Sequence, residues 1–160
     1  MQIDRVDRAI LIELQRDGRL TNAELARRVN LSPPACLERV RRLEKAGYIL
    51  GYVALLDPAK LGSGLLVFTE IVLDRTTPEV FERFRDAVMT MPEILECHMV
   101  AGGFDYLVKA RVRDMAAYRD FLGSSLVALP GVRETHTYAV MEEVKSTTAI
   151  TLPPGQPAAR

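Results

Sequence analysis

The chain is poor in the features that mark secreted, membrane-spanning or catalytic proteins. Its two cysteines, Cys36 and Cys97, form neither a CxxC pair nor a disulfide framework. The opening residues MQIDRVDRAI carry charges where a secretory leader has a basic end and an apolar run. No apolar stretch approaches the roughly 20 residues of a bilayer span, so a reducing cytoplasm is the expected compartment and no membrane is expected as partner. Histidines are equally scarce. Cys97 and His98 are neighbours on an expected strand and point to opposite faces, and His136 stands alone, so no metal site is expected. There is no nucleophile–base pair, phosphate-binding glycine loop or telling carboxylate pair, which predicts no enzyme, no catalytic residue and no cofactor. Nor is there an excess of one charge: Lys plus Arg and Asp plus Glu each number 21.

That balance hides an asymmetry. Residues 1–62 carry 11 basic and 8 acidic side chains, and the remainder carries 10 and 13. Within 19–45, seven basic residues stand against three acidic ones. The positive charge gathers on RLTNAELARRVNLSPPACLERVRRLEKAG (19–47). Thr21 and Glu24 have the spacing of a capping box. Apolar Ala23, Leu25, Ala26 and Val29 follow, and Asn30-Leu31 breaks the pattern. Ser32 offers an oxygen to a second helix, Pro33 suits its first position, and Gly47 suits its left-handed end. Two helices joined by so short a turn predict a helix-turn-helix, whose second helix can enter a DNA major groove.

Upstream, Asp4 caps a first helix with Val6, Ala9, Ile10 and Leu14 at helical spacing, closed by Asp17-Gly18. Downstream, YILGYVALLDP (48–58) predicts one or two short strands, a wing beside the helices. Residues 1–57 are thus the expected winged helix-turn-helix domain, and 58–64 (PAKLGSG) a linker. LLVFTEIVL (65–73) reads as a strand, Thr77-Pro78 starts a helix to about Met91, and ILECHMV (94–100) and DYLVKARV (105–112) form a hairpin. Asp114 caps a second helix to Leu129, and 132–144 is the last strand. The order β-α-β-β-α-β predicts a ferredoxin-like domain over 65–150, so the class is α+β. Proline-rich 151–160 is an expected mobile tail.

On the second helix of the pair, Cys36, Val40 and Leu43 share an apolar stripe. Pro34, Ala35, Glu38, Arg41 and Arg42 lie opposite, with Arg39 at the edge. Ser32, Pro34, Ala35 and Glu38, near the helix start, are the candidates for base edges. Arg39, Arg41 and Arg42, with Arg27 and Arg28 from the preceding helix, suit phosphates. A solvated basic helix face is the alternative, and Cys36 reads most simply as a small core residue.

Five stretches resemble the Lrp/AsnC family of transcription regulators, the feast/famine proteins: IDRVDRAIL, LSPPACLERVRRLEKAGYI, GYVALLDP, ECHMVAGGFDYLVKARV and LPGVRETHTYAVMEEVK. They occur in the family's order across residues 3–150. The resemblance implies an amino-terminal winged helix-turn-helix, and a βαββαβ domain that dimerises and senses small molecules. It further implies dimers assembling into octamers with double-stranded promoter DNA wrapped around them at palindromic sites, in the nucleoid. An amino acid effector, leucine or a related one, would sit between dimers. On this resemblance Gly102, Gly103, Asp105 and Tyr106 belong to the effector loop, with Asp105 at its acidic position. Tyr138, Ala139 and Val140 line the same region, and Met115 lies at the contact between dimers. Gly103 departs from the acidic residue that close relatives more often carry, which bears on effector preference.

Physical reasoning supplies its own account of that loop. Glycines let a backbone approach a small ligand, exposed N–H groups can bind a carboxylate, and an acidic side chain can pair with an ammonium group. An ordinary hairpin turn with Asp105 bonded to its own loop is the other reading. The rival function is a small-molecule-binding or metabolic ferredoxin-like protein whose amino-terminal helices serve assembly only.

Overall fold

The computed structural model describes residues 2–152. Its contacts divide the chain into two compact units. One runs to Leu55 and takes in residues 145–152; the other is Leu56–Val144.

The first unit holds three helices, α1 (Arg5–Arg16), α2 (Asn22–Arg28) and α3 (Pro33–Lys45). Asp4 caps α1 in a complete box: its side chain accepts from the Asp7 N–H, and the Asp7 carboxylate accepts from the Asp4 N–H. Buried Ile10, Leu11, Leu25, Ala26, Val29, Cys36 and Leu43 form the core between the helices. Helix α3 closes as expected. Gly47 takes φ +74°, the Tyr48 N–H donates to the Leu43 carbonyl and the Gly47 N–H to that of Glu44. This is the six-to-one and five-to-two bonding of a left-handed helix end.

Four local expectations change. The Thr21 hydroxyl accepts from the Glu24 N–H at 3.2 Å, but the Glu24 carboxylate turns to Arg27 and Arg28, so the box is only half formed. Ser32 makes no side-chain cap bond. Pro34, the second helical residue, has no N–H, which removes one of the two groups, at the second and third positions, that a cap bond would serve. Residues 48–57 form no strand and no wing ladder: the Tyr48 N–H closes the end of α3, and the backbone of 49–57 makes no ladder bond among the described residues. Finally, residues 145–150, expected in the second domain, belong with the first unit. The Gln15 side chain donates to the Ile150 carbonyl at 3.2 Å and accepts from the Ile150 N–H at 2.8 Å, and Leu152 packs on the three-helix core. Residues 153–160 of the expected tail lie outside the described residues.

The second unit is an antiparallel four-stranded sheet of order β2-β3-β1-β4, with β1 (Leu65–Leu73), β2 (Ile94–Met99), β3 (Tyr106–Val112) and β4 (Val132–Ala139). Helices α4 (Pro78–Val88) and α5 (Met115–Phe121) supply its crossings, so the ferredoxin-like order holds. Alternation along β1 puts Val67, Thr69, Ile71 and Leu73 into the core with Phe84, Val88, Tyr118 and Phe121, and leaves Phe68, Glu70 and Val72 on the half-buried face. Tyr106 stacks on Phe84 with ring centroids 4.4 Å apart. Two elements end early. Helix α5 passes at Leu122–Leu126 (LGSSL) into a π-helical turn. Strand β4 ends at Ala139: its last ladder step is Val67–Ala139, and after the Val140 N–H meets the Leu66 carbonyl, β1 has no more edge to offer.

Candidate functional site

The exposed side of α3 begins at its amino terminus. Ser32, Pro34 and Glu38 are exposed and Ala35 is half-buried, whereas Cys36 and Leu43 sit in the core on the far side. With its hydroxyl unused in capping, Ser32 keeps a donor for an outside acceptor. The Asn22 side chain of α2 donates to the Pro33 carbonyl at 2.8 Å and so pins the start of α3 across the turn. Asn30, at φ +56°, makes that turn.

The arginines differ sharply in how they are engaged. Arg27 bonds the Glu24 carboxylate at 2.6 Å, and Arg28 reaches both Glu24 and Glu13. Those two guanidiniums hold the Glu24 carboxyl down at about 2, far below its ordinary 4.5. Arg39 and Arg42 turn towards α1, where both bond Asp7 and Arg39 also bonds Asp4. Arg41 is exposed and enters no ion pair among the described residues; the same is true of Lys45, which the sequence reading passed over. Helical spacing places Arg41 on the side of Pro34 and Glu38.

In the second unit, Gly102 and Gly103 are exposed in the loop between β2 and β3. Asp105 is tied to the sheet. Its Oδ2 accepts from the Leu73 N–H at 2.8 Å, its N–H donates to the Ile71 carbonyl, and its carbonyl accepts from the Val100 N–H. Oδ1 remains without a partner among the described residues. Tyr106 is buried between Phe81 and Phe84, so it borders the loop by its backbone and not by its ring. Tyr138 is exposed and donates to Glu70, Ala139 is exposed, and Val140 is half-buried.

One chain does not bring these residues together. Tyr106 pairs with Ile71, near the far end of β1, while Tyr138 pairs with Phe68 and Val140 bonds Leu66, near its start. The rows at Ile71 and Leu66 are about 17 Å apart along the strand. Met115, exposed, follows Val112, which pairs with Leu65, so it belongs to the Val140 end. Among the described residues no cluster of His, Cys, Asp and Glu has the makings of a metal site.

Comparison with known proteins addresses both units. Residues 3–49 match a family described as winged helix-turn-helix DNA-binding, and residues 66–150 match the Lrp/AsnC ligand binding domain. The leucine-responsive regulatory proteins of Klebsiella pneumoniae and Escherichia coli strain K12 are each 59% identical over 150 residues, spanning 94% of this chain and 92% of theirs. A solved transcriptional regulator–L-Met complex from Neisseria meningitidis is 39% identical with a TM-score of 0.90, covering 94% of this chain and 97% of that one.

Proposed function

This chain belongs to the Lrp/AsnC family of transcription regulators, and from that premise we propose how its two units work. It is a DNA-binding regulator with an amino-acid-binding domain and not an enzyme. The reading rests on one observation above all: the amino-terminal side of α3 stands clear of the core with an unpaired arginine beside it. Ser32, Pro34, Ala35 and Glu38 then meet base edges, and Arg41 meets a phosphate, joined by Arg27 and Arg28 from Glu24 and by Arg39 and Arg42, which stay bonded to Asp7.

The working particle is an assembly of this chain, a dimer that builds to an octamer at palindromic promoter sites in the nucleoid of the cytoplasm. Two features support more than one copy. Leu50, Val53 and Leu55 are 97, 85 and 77% exposed in a segment without backbone partners. The Asp105 loop and the Tyr138–Val140 segment also lie at opposite ends of β1, so a site using both needs two chains. The effector is leucine, methionine or a similar apolar amino acid, in keeping with the names of the relatives. Its binding shifts the population of assemblies and thereby DNA occupancy.

The test is a titration against duplexes enriched by the protein from a random pool. Affinity should fall steeply with salt, and Arg41→Gln should reduce the logarithmic slope by about 0.9. No enrichment, or binding indifferent to salt, refutes the DNA-reading proposal. Light scattering with and without L-leucine and L-methionine tests the assembly; an unchanged particle size with both overturns the proposed switch.

A further inference from the structure

The least expected group in the first unit is the Asp7 carboxylate. It is an acidic side chain only 1% exposed, and it accepts four hydrogen bonds: from the Asp4 N–H, from Arg39 Nη1 and, on both oxygens, from Arg42 Nη2. The three side-chain contacts are each 2.8 Å. Asp4 adds a fourth side-chain contact by accepting from the same Arg39 nitrogen at 2.6 Å. A buried carboxylate with about four lone-pair sites is thus fully used, and most of that capacity goes to the helix that faces DNA.

We propose that Asp7 is a positioning residue for DNA recognition, holding α3 at a set rotation on α1 through Arg39 and Arg42. The apolar stripe Cys36–Leu43 keeps α3 on the core, but apolar contact is non-directional and tolerates a roll of the helix. Charge-assisted hydrogen bonds from two guanidiniums to a fixed carboxylate are directional and do not. With side-chain tips about 5–6 Å from the helix axis, a roll of about 20° moves them by about 2 Å. That displacement breaks a hydrogen bond to a base edge while leaving a phosphate within electrostatic reach. Asp7 therefore governs selectivity between sequences more than overall attraction to DNA. Arg42 is 48% exposed and uses only Nη2, so its Nε and Nη1 stay available to a phosphate while it is held.

This inference rests on the DNA-reading proposal, and its test separates the two. The probes are a duplex enriched by the wild-type full chain from a random pool and a scrambled duplex of the same composition. Both are titrated with folded protein well below its melting temperature. Asp7→Asn preserves shape but removes the charge and turns one acceptor into a donor. It should lose about tenfold or more in affinity for the enriched duplex and stay within about threefold on the scrambled one. Asp7→Glu keeps the charge and suits the same capping position, and should recover to within about threefold of wild type. A merely structural role predicts altered melting with an unchanged ratio between the two duplexes. That result, or failure of Asp7→Glu to recover, overturns the proposal. If Asp7→Asn does not fold, Arg42→Gln removes the cation that bonds both Asp7 oxygens and should lower the same ratio about tenfold, any lost phosphate contact weakening both duplexes alike; an unchanged ratio is again refutation. Failure of the wild type to enrich any sequence would instead strike the DNA-reading proposal itself.

Discussion

Asp105 is expected to have two separable jobs, one for each carboxylate oxygen. Oδ2 accepts from the N–H of Leu73, a residue only 4% exposed at the end of β1. Asp105→Ala leaves that N–H unpaired, which costs about 1–3 kcal/mol. For a domain of this size, a loss of about 2 kcal/mol lowers the melting temperature by roughly 8–16 °C. Asp105→Asn presents an amide oxygen to the same N–H and gives up only the charge assistance, so its cost should stay near 1 kcal/mol. Under the proposed function the other oxygen, unpartnered among the described residues, is the one that would meet an effector's ammonium group. In Asp105→Asn that position carries the amide NH2, a donor that cannot accept from an ammonium group, so a charge-assisted bond worth about 1.5–3 kcal/mol is lost, about tenfold or more in affinity. Thermal unfolding followed by circular dichroism reads the first effect, and calorimetric titration with L-leucine and L-methionine reads the second. The reasoning predicts a split: Asp105→Ala is less stable than Asp105→Asn, while both bind the amino acid weakly. Equal stability for the two variants refutes the role of Oδ2. Wild-type effector affinity in Asp105→Asn refutes the role of the charge.

Other perturbations probe the remaining parts. Tyr118→Phe removes the hydroxyl that joins Thr69, at 3.0 Å, to Thr137; with Thr69 fully buried, urea unfolding should show a loss of about 1–3 kcal/mol. Gly131 sits at φ +77° with a Cβ position only 2.6 Å from Val80 Cγ1, so Gly131→Ala should cost about 2 kcal/mol or more, and adding Val80→Ala should recover the part due to the clash in a double-mutant cycle. Glu24 is held at about 2 against an ordinary 4.5 by Arg27 and then Arg28. Since the folded value lies below the unfolded one, its contribution is complete above pH 4.5 and is lost as pH falls towards 2. Glu24→Gln should therefore narrow the gap in stability between pH 6 and pH 2.5; an unchanged gap would show that the arginine pairing carries no linkage.

Local signals in the sequence mapped well onto local structure. Asp4 with Asp7, Thr21, Gly47 and Asp114 all act within a few residues of themselves, so caps and helix starts were readable from spacing. The alternation in 65–73 identified the central strand because it is buried on one face throughout. What escaped depends on distant partners. Residues 48–57 have the composition of a strand, yet a strand exists only where another edge bonds it, and among the described residues none does. The length of β4 is set by where β1 begins, sixty-odd residues earlier. The docking of 145–152 on the first unit turns on Gln15 and Ile150, 135 positions apart. The residues expected at an effector site read as one group in the sequence, and the ladder separates them because β1 pairs with β3 and β4 at different points along its length.

The arginines show the same limit in energetic form. Counting charge over 19–45 treats every basic residue as available to DNA, but ion pairs divide them into classes. Arg27 and Arg28 bond the half-buried Glu24 carboxylate at the surface, where water and salt screen the pairing, so a phosphate can displace Glu24 at little cost. Among the described residues Arg41 and Lys45 have no carboxylate to leave. Arg39 and Arg42 are tied to an acid that is itself buried, and pulling both away would strand that charge in the interior, which costs several kcal/mol. Helical periodicity put Arg41 and Arg42 on one face, since spacing along α3 knows nothing of α1. The partner that tells them apart lies 35 positions upstream of Arg42, at Asp7. The basic stretch therefore combines attraction that yields to DNA with rigidity that does not. Selective reading needs both: mobile cations to gain affinity, and a fixed helix to turn affinity into sequence preference.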